Sequence, residues 1–388
     1  MPFAVYVLAL AVFAMGMSEF MLSGLVPDIA VELGVSIPAS GSLISAFAVG
    51  MVVGAPVVAV LSLRWPRRAA LLAFLVTFLV MHVVGAITDS FTVLLATRVV
   101  AALANAGFLA VGIAAAAGMV GANAKGRATA VLVGGVTIAC VAGVPAGAYL
   151  GELWGWRSAF WAVAVLSAPP FVAILRSVPG AAPDRNAPSA LHELRAMRSP
   201  RLIVVLVLGA LVNGATFCSF AYLAPVVTEV AGLPSGWVPL ALLLFGLGSF
   251  AGVTLGGRYA DTNPTALLGL GGIGLLIGWL VFATTAGDPV AAFVCTVVQG
   301  TLSFAVGSTL ISQALYAASG APTLAGGFAT AALNVGAAAG PALGGAAIGA
   351  GAGFRSPLLV SAALVAAALL VGGIALLSAR TRSGVSTG

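Results

Sequence analysis

Twelve long apolar stretches run through this 388-residue chain, and nearly all of its basic residues fall in the connections on one side of them. Hydrophobic residues make up 61% of the chain and charged residues only 7%. A soluble domain faces water with roughly 25% charged residues, so this surface must face hydrocarbon. A span needs about 20 mostly apolar residues to cross a bilayer core. Its backbone must satisfy its own hydrogen bonds there, as a helix or a closed barrel does. The apolar runs are continuous, not alternating, which selects helices over barrel strands.

The pattern predicts helices at 4–26, 39–61, 68–88, 91–118, 127–151, 157–176, 201–228, 236–257, 265–286, 289–316, 322–349 and 357–379. Pro27, Gly34, Pro66, Gly126, Pro289 and Pro322 punctuate them. With residue 1 in the cytoplasm, the inner connections hold Arg64, Arg67, Arg68, Lys125, Arg127, Arg176, Arg185, Arg195, Arg198, Arg201, Arg258, Arg380 and Arg382. The outer ones hold only Arg157 and Arg355 as basic residues, alongside Asp28, Glu32, Asp89, Glu152, Glu229 and Asp288. The positive-inside rule therefore places both termini in the cytoplasm. The net charge of +6 reflects this scatter over several loops and does not suggest nucleic acid. No cleavable leader is expected, because the first run lacks a basic start and a small-residue cleavage site. Cys140, Cys218 and Cys295 all fall inside helices, as small packing residues do.

The expected domains are a six-helix bundle at 1–176, a cytoplasmic linker at 177–200 and a second six-helix bundle at 201–388. The linker carries Pro179, Pro183, Pro188 and Pro200. One offset, 198 residues, relates the halves. Pro27 maps to Pro225, and Gly155-Trp156-Arg157-Ser158 to Gly353-Phe354-Arg355-Ser356. Arg98-Val99-Val100 maps to Thr296-Val297-Val298, and Leu63 to Asp261. Six is even, so the halves lie parallel in the membrane. Transporters built on such repeats hold their substrate near the midplane.

Ionisable residues inside spans are costly and mark ion or substrate paths by default. Two stand out, Glu19 and Arg98. Glu19 lies eight residues before Pro27 and Arg98 nine after Asp89. At about 1.5 Å per residue, both sit ~12–14 Å below the outer loops. A carboxylate between an apolar surround and a cation can take and release protons near neutral pH. The alternative is a buried pair that only fixes the first helix against the fourth. Around them, helical spacing gathers Met15, Ser23 and Asn105 in the first half, and Asn213, Phe217, Phe220, Gln299 and Asn334 in the second. Aromatic and Met side chains beside a few polar groups suit an amphipathic ligand. The Asn and Gln residues could instead only join helices. His82 and His192 have no partner at ligand spacing and predict no metal site.

Ser18-Glu19-Phe20-Met21-Leu22-Ser23-Gly24-Leu25-Val26-Pro27-Asp28-Ile29-Ala30 resembles the first-helix signature of the twelve-helix drug:proton antiporters of the major facilitator superfamily. Arg98 stands where that group carries its fourth-helix arginine. Gly135, Gly143, Pro145, Gly147 and Gly151 are similar to its antiporter motif, with Val144 at a position often Gly. Gly340-Pro341-Ala342-Leu343-Gly344-Gly345 repeats that motif in the second half. The loop from Ala59 to Arg68 keeps the basic end of the superfamily's loop motif at Arg64, Arg67 and Arg68, but its usual acid is Leu63. The second half retains the acid as Asp261. Within the group, the likeness is greatest to actinomycete chloramphenicol exporters.

The resemblance implies an all-α membrane fold of two parallel six-helix bundles, with the first, fourth, seventh and tenth helices lining a cavity. It implies proton-driven export of a small drug, chloramphenicol first, across the inner membrane by a monomer that uses no cofactor. Glu19 and Arg98 would couple protons, with Asp28 next in line. Gly143, Pro145, Gly147, Gly340, Pro341, Arg64, Arg67, Arg68 and Asp261 would gate. Exporters of sugars or nucleosides share these motifs and remain an alternative. A membrane enzyme would need a carboxylate pair, a metal cluster or a nucleophile with its base, which the sequence does not offer. It also has no phosphate-binding loop for an ATP-driven pump. A receptor or channel fits the repeat and the lone first-helix acid poorly.

Overall fold

A computed structural model describes residues 1–62, 65–120, 131–132, 134–136, 138–178, 199–259, 264–317 and 322–384. The described residues form helices joined by short turns, with no strand among them. The long helices are α1 (Phe3–Phe20), α2 (Ile37–Ser62), α3 (Arg67–Ile87), α4 (Phe91–Gly118), α5 (Val144–Trp154), α6 (Arg157–Ser177) and α7 (Pro200–Ala221). They continue as α8 (Val238–Tyr259), α9 (Pro264–Thr285), α10 (Pro289–Ala317), α11 (Pro322–Ala347) and α12 (Ser356–Gly384). Eleven described stretches are long and apolar enough to cross a membrane. The run expected at 127–151 is described only in part, as a π-helical turn at Ala139–Gly143 leading into α5 and a few residues before it.

Local chemistry explains the boundaries. Pro200, Pro264, Pro289 and Pro322 each open a helix, where the missing N–H costs nothing and φ is already set. Ser90 and Asp288 accept the free N–H groups of Val93 (3.5 Å) and Ala291 (2.8 Å) at the starts of α4 and α10. After Phe20 the first span tightens into a 3-10 turn, Met21–Gly24, before the short helix Val26–Glu32.

The chain divides into two compact units: Met1–Ala187 with Ala221–Gly246, and Pro188–Phe220 with Leu247–Gly388. In the first, Tyr222 packs over Gly41, and Leu242 packs against Gly24. Each unit's internal geometry repeats at the 198-residue offset. Gly50 of α2 presses on the Val99 carbonyl of α4, and Gly248 of α8 presses on the Val297 carbonyl of α10. A side chain at either glycine would collide with backbone. Gly155 (φ 77°, ψ 159°) and Gly353 (φ 74°, ψ 175°) share a conformation open essentially to glycine alone. Their carbonyls accept from the hydroxyls of Ser158 and Ser356, both at 2.7 Å.

Candidate functional site

The buried cation of the first unit is Arg98, 1% exposed on α4. Its partner is Ser18. Nη1 donates to the Ser18 hydroxyl at 2.7 Å and Nη2 to the Ser18 carbonyl at 2.6 Å. Ser18 lies in the last turn of α1, where carbonyls lose their intrahelical donors. The guanidinium lies over the Phe47 ring, 4.4 Å from its centroid, with the Phe160 centroid at 6.0 Å. Its Nε has no hydrogen-bond partner.

Glu19 follows Ser18 on α1 and is partly exposed. Among the described residues the ion pairs are those of Arg157, and none within 4.0 Å joins Glu19 to Arg98. The two share a neighbourhood through Ser18 instead of a direct bridge. The cause is angular. Successive residues on a helix point about 100° apart, so the side chain that Arg98 hydrogen-bonds is Ser18, and Glu19 stays near it without a bridge.

Sequence spacing missed Ser18 and His82. His82 on α3 is 1% exposed. Its Nε2 lies 2.6 Å from the Ser18 hydroxyl and its Nδ1 2.7 Å from the Phe78 carbonyl. Its ring packs on Phe78 (centroids 4.1 Å apart) and near Phe160 (5.8 Å). The signal was available: His82 lies seven residues before Asp89 and Arg98 nine after it, on the two arms of one hairpin.

The other expected ligand-binding residues divide by unit. In the first, Met15 is fully buried, Ser23 donates to the Phe20 carbonyl (3.0 Å), and Asn105 donates to the Met51 sulfur (3.5 Å). In the second, Asn213 donates to the Leu333 carbonyl of α11 (2.6 Å) and Gln299 to the Leu275 carbonyl of α9 (3.1 Å). Asn334 donates to Thr330 on its own helix (3.0 Å). Phe217 and Phe220 meet edge to face, with centroids 6.0 Å apart.

The expected gating glycines pack closely on helices of their own unit. Gly143 and Gly147 lie against Met17 and Met21 of the first span, one turn apart on both sides. Pro145 sits at the start of α5. Gly340 lies on the Gly214 carbonyl of α7, and Pro341 follows it inside α11. Arg67 and Arg68 open α3, while Arg64 and Asp261 lie outside the described residues.

A second cluster closes the turns of the first unit. Arg157 pairs with Glu32, donates to Asp89 (2.6 Å) and the Thr88 carbonyl (3.0 Å), and lies 4.4 Å from the Trp156 ring centroid. The Trp156 indole donates to Glu32 (2.8 Å). Nearby, Ser235 donates to Glu152 (2.9 Å). Partial burial first, and the Glu152 carboxylate second, hold the Asp28 carboxyl above its ordinary range.

Long apolar helices, an internal repeat and a buried cation on the fourth define a multi-span membrane transporter. The Major Facilitator Superfamily model matches residues 8–330, and the chain belongs to that superfamily. It is 55% identical to the chloramphenicol resistance protein of Streptomyces lividans over 96% of this chain and 95% of that protein. It is 35% identical to the inner membrane transport protein YdhP of Escherichia coli K12, over 94% and 93% of the two chains. Its fold is similar to that of a bacterial homologue of the human lysosomal transporter Spinster, with TM-score 0.75 at 15% identity over 95% of each chain.

Proposed function

We propose that this transporter is a proton antiporter that exports a small amphipathic drug, chloramphenicol first, from the cytoplasm by alternating access. One observation carries the substrate: the 55% identity, over nearly the full length, to a protein named for chloramphenicol resistance. The chemistry around Arg98 supports the coupling. A buried cation is held on Ser18, beside a carboxylate that no described cation pairs within 4.0 Å. Such a carboxylate can exchange a proton as its access alternates, and the proton gradient drives export with no cofactor.

In this reading Glu19 carries the proton and Arg98 tunes it, with Asp28 the next carboxylate in line. Met15, Ser23 and Asn105 of the first half, with Asn213, Phe217, Phe220, Gln299 and Asn334 of the second, contact the drug. During alternating access the close-packed glycines, Gly143 and Gly147 in the bundle at 1–176 and Gly340 beside Pro341 in that at 201–388, let helices within each bundle bend. Pro145, Arg64, Arg67, Arg68 and Asp261 serve the gates. The protein acts as a monomer in the cytoplasmic membrane with both termini inside. Expression in a chloramphenicol-sensitive bacterium tests the substrate. Resistance should rise and radiolabelled chloramphenicol should accumulate less, with a protonophore cancelling the difference. Unchanged accumulation refutes chloramphenicol as the cargo.

A further inference from the structure

The hydrogen bonds around Ser18 have a fixed direction. The Phe78 carbonyl can only accept, so His82 Nδ1 carries a proton and donates to it at 2.7 Å. Arg98 can only donate, so the Ser18 oxygen accepts at 2.7 Å. Ser18 has one proton to give, and the neutral ring's bare Nε2 lies 2.6 Å away to receive it. The chain of donors runs from Arg98 to Ser18 to His82 to the Phe78 carbonyl, with every member in the role its chemistry requires. A protonated His82 would break that order. Two cations would then donate to one hydroxyl, and the Ser18 proton would have to turn from His82 to a carbonyl of its own helix.

The surroundings leave His82 few other influences. The elements against it are α4 and α6, with α1 reached through Ser18. They bring Arg98 from α4, Glu19 beside Ser18 on α1, and the Phe160 ring from α6, whose own cations, Arg157 and Arg176, lie at its two ends. Among the described residues, Arg98 is the charged group His82 meets through Ser18, and Glu19 is the next residue on α1.

We propose that His82, acting through Ser18, is the positioning residue that pins Arg98 to the end of α1 and so sets the pH at which Glu19 exchanges its proton. Committing the Ser18 proton to His82 aims the oxygen's lone pairs at Arg98. The second Arg98 bond, to the Ser18 carbonyl, then fixes the guanidinium on backbone and not on carboxylate. Without His82, the Ser18 hydroxyl is free to rotate onto a carbonyl of its own helix, as serines in helices do. Arg98 loses its aligned acceptor and can swing to Glu19. An adjacent cation favours an ionised carboxylate, so more acid is needed to load the proton. The inference rests on Glu19 as the proton carrier.

The experiment compares His82→Leu, His82→Gln and Ser18→Ala with the wild type and Glu19→Gln. Chloramphenicol efflux from proteoliposomes is read across pH and normalised to folded protein. His82→Leu and Ser18→Ala should move the pH midpoint of efflux toward acid by about one unit. His82→Gln, whose amide oxygen can still accept from Ser18, should stay near wild type. A purely structural His82 would lower the yield of folded protein and leave the midpoint in place; that outcome overturns the proposal. If His82→Leu does not fold, Ser18→Ala decides, and an unmoved midpoint there is equally fatal. A pH-dependent Glu19→Gln protein refutes Glu19 as the carrier, a separate failure. If the wild type exports no chloramphenicol, the same midpoints are read from the protonated-carboxyl infrared band that Glu19→Gln removes.

Discussion

Removing Arg157 should loosen one end of the first unit, because this cation ties together turns far apart in sequence. Its side chain is 24% exposed, that of Glu32 51% and that of Asp89 93%. Solvent therefore weakens both ion pairs, to about 0.2–1 kcal/mol each, with Asp89 at the low end. The charged bond to the Thr88 carbonyl adds about 1 kcal/mol, and stacking on Trp156 about 0.5–1 kcal/mol. These terms share one side chain and are not additive, so Arg157→Ala should cost about 2 kcal/mol. Arg157→Lys keeps a charge but not the fork that reaches Glu32 and Asp89 together, and should cost about half as much. For a chain of 388 residues the alanine variant should melt ~2–3 °C lower in detergent. The gap should narrow at about 1 M salt, where the screening length falls to about 3 Å. Thermal unfolding followed by intrinsic fluorescence gives both numbers. An alanine variant melting with the wild type, or alanine and lysine variants melting together, would refute the hub.

The repeat makes a paired prediction: Gly155→Ala and Gly353→Ala should each destabilise by about 1–3 kcal/mol, since both hold the same glycine-only conformation. A large loss at one with none at the other, in melts of the two variants, would contradict their equivalence. Asp28 gives a pH test. Its carboxyl is held high in the fold, so its contribution favours the folded state below the ordinary carboxylate range and is lost as pH rises through the folded value. Asp28→Asn should therefore melt above wild type at neutral pH, with the gain shrinking on acidification. A gain that grows in acid would reverse the assigned sign.

The spans, the offset and the turn glycines were legible because each depends on residues close together in the chain. Apolar runs set the helices, and Gly155 and Gly353 declare their turns in place. Close packing between helices was not legible: Gly50 and Gly248 fall one repeat apart, but only the structure shows the matching carbonyls they meet. Hydrogen-bond partners were not. Depth alone put Glu19 opposite Arg98, but the rotation about α1 that separates Ser18 from Glu19 decides which side chain the guanidinium meets. His82 read as isolated because its partner lies 64 residues away on another helix. Asn213 and Gln299 likewise reach backbone carbonyls of neighbouring helices, and a one-dimensional pattern does not show what lies across an interface.

Proton-driven export through Glu19 is tested most directly in proteoliposomes carrying wild type or Glu19→Gln, loaded with chloramphenicol, with and without an imposed pH gradient. Gln keeps the shape and a hydrogen-bonding head but cannot ionise. The wild type should move drug uphill only with the gradient. Glu19→Gln should bind drug, lose the pH dependence of that binding, and fail to move it uphill. Full gradient-driven transport by folded Glu19→Gln would contradict the account and turn attention to Asp28.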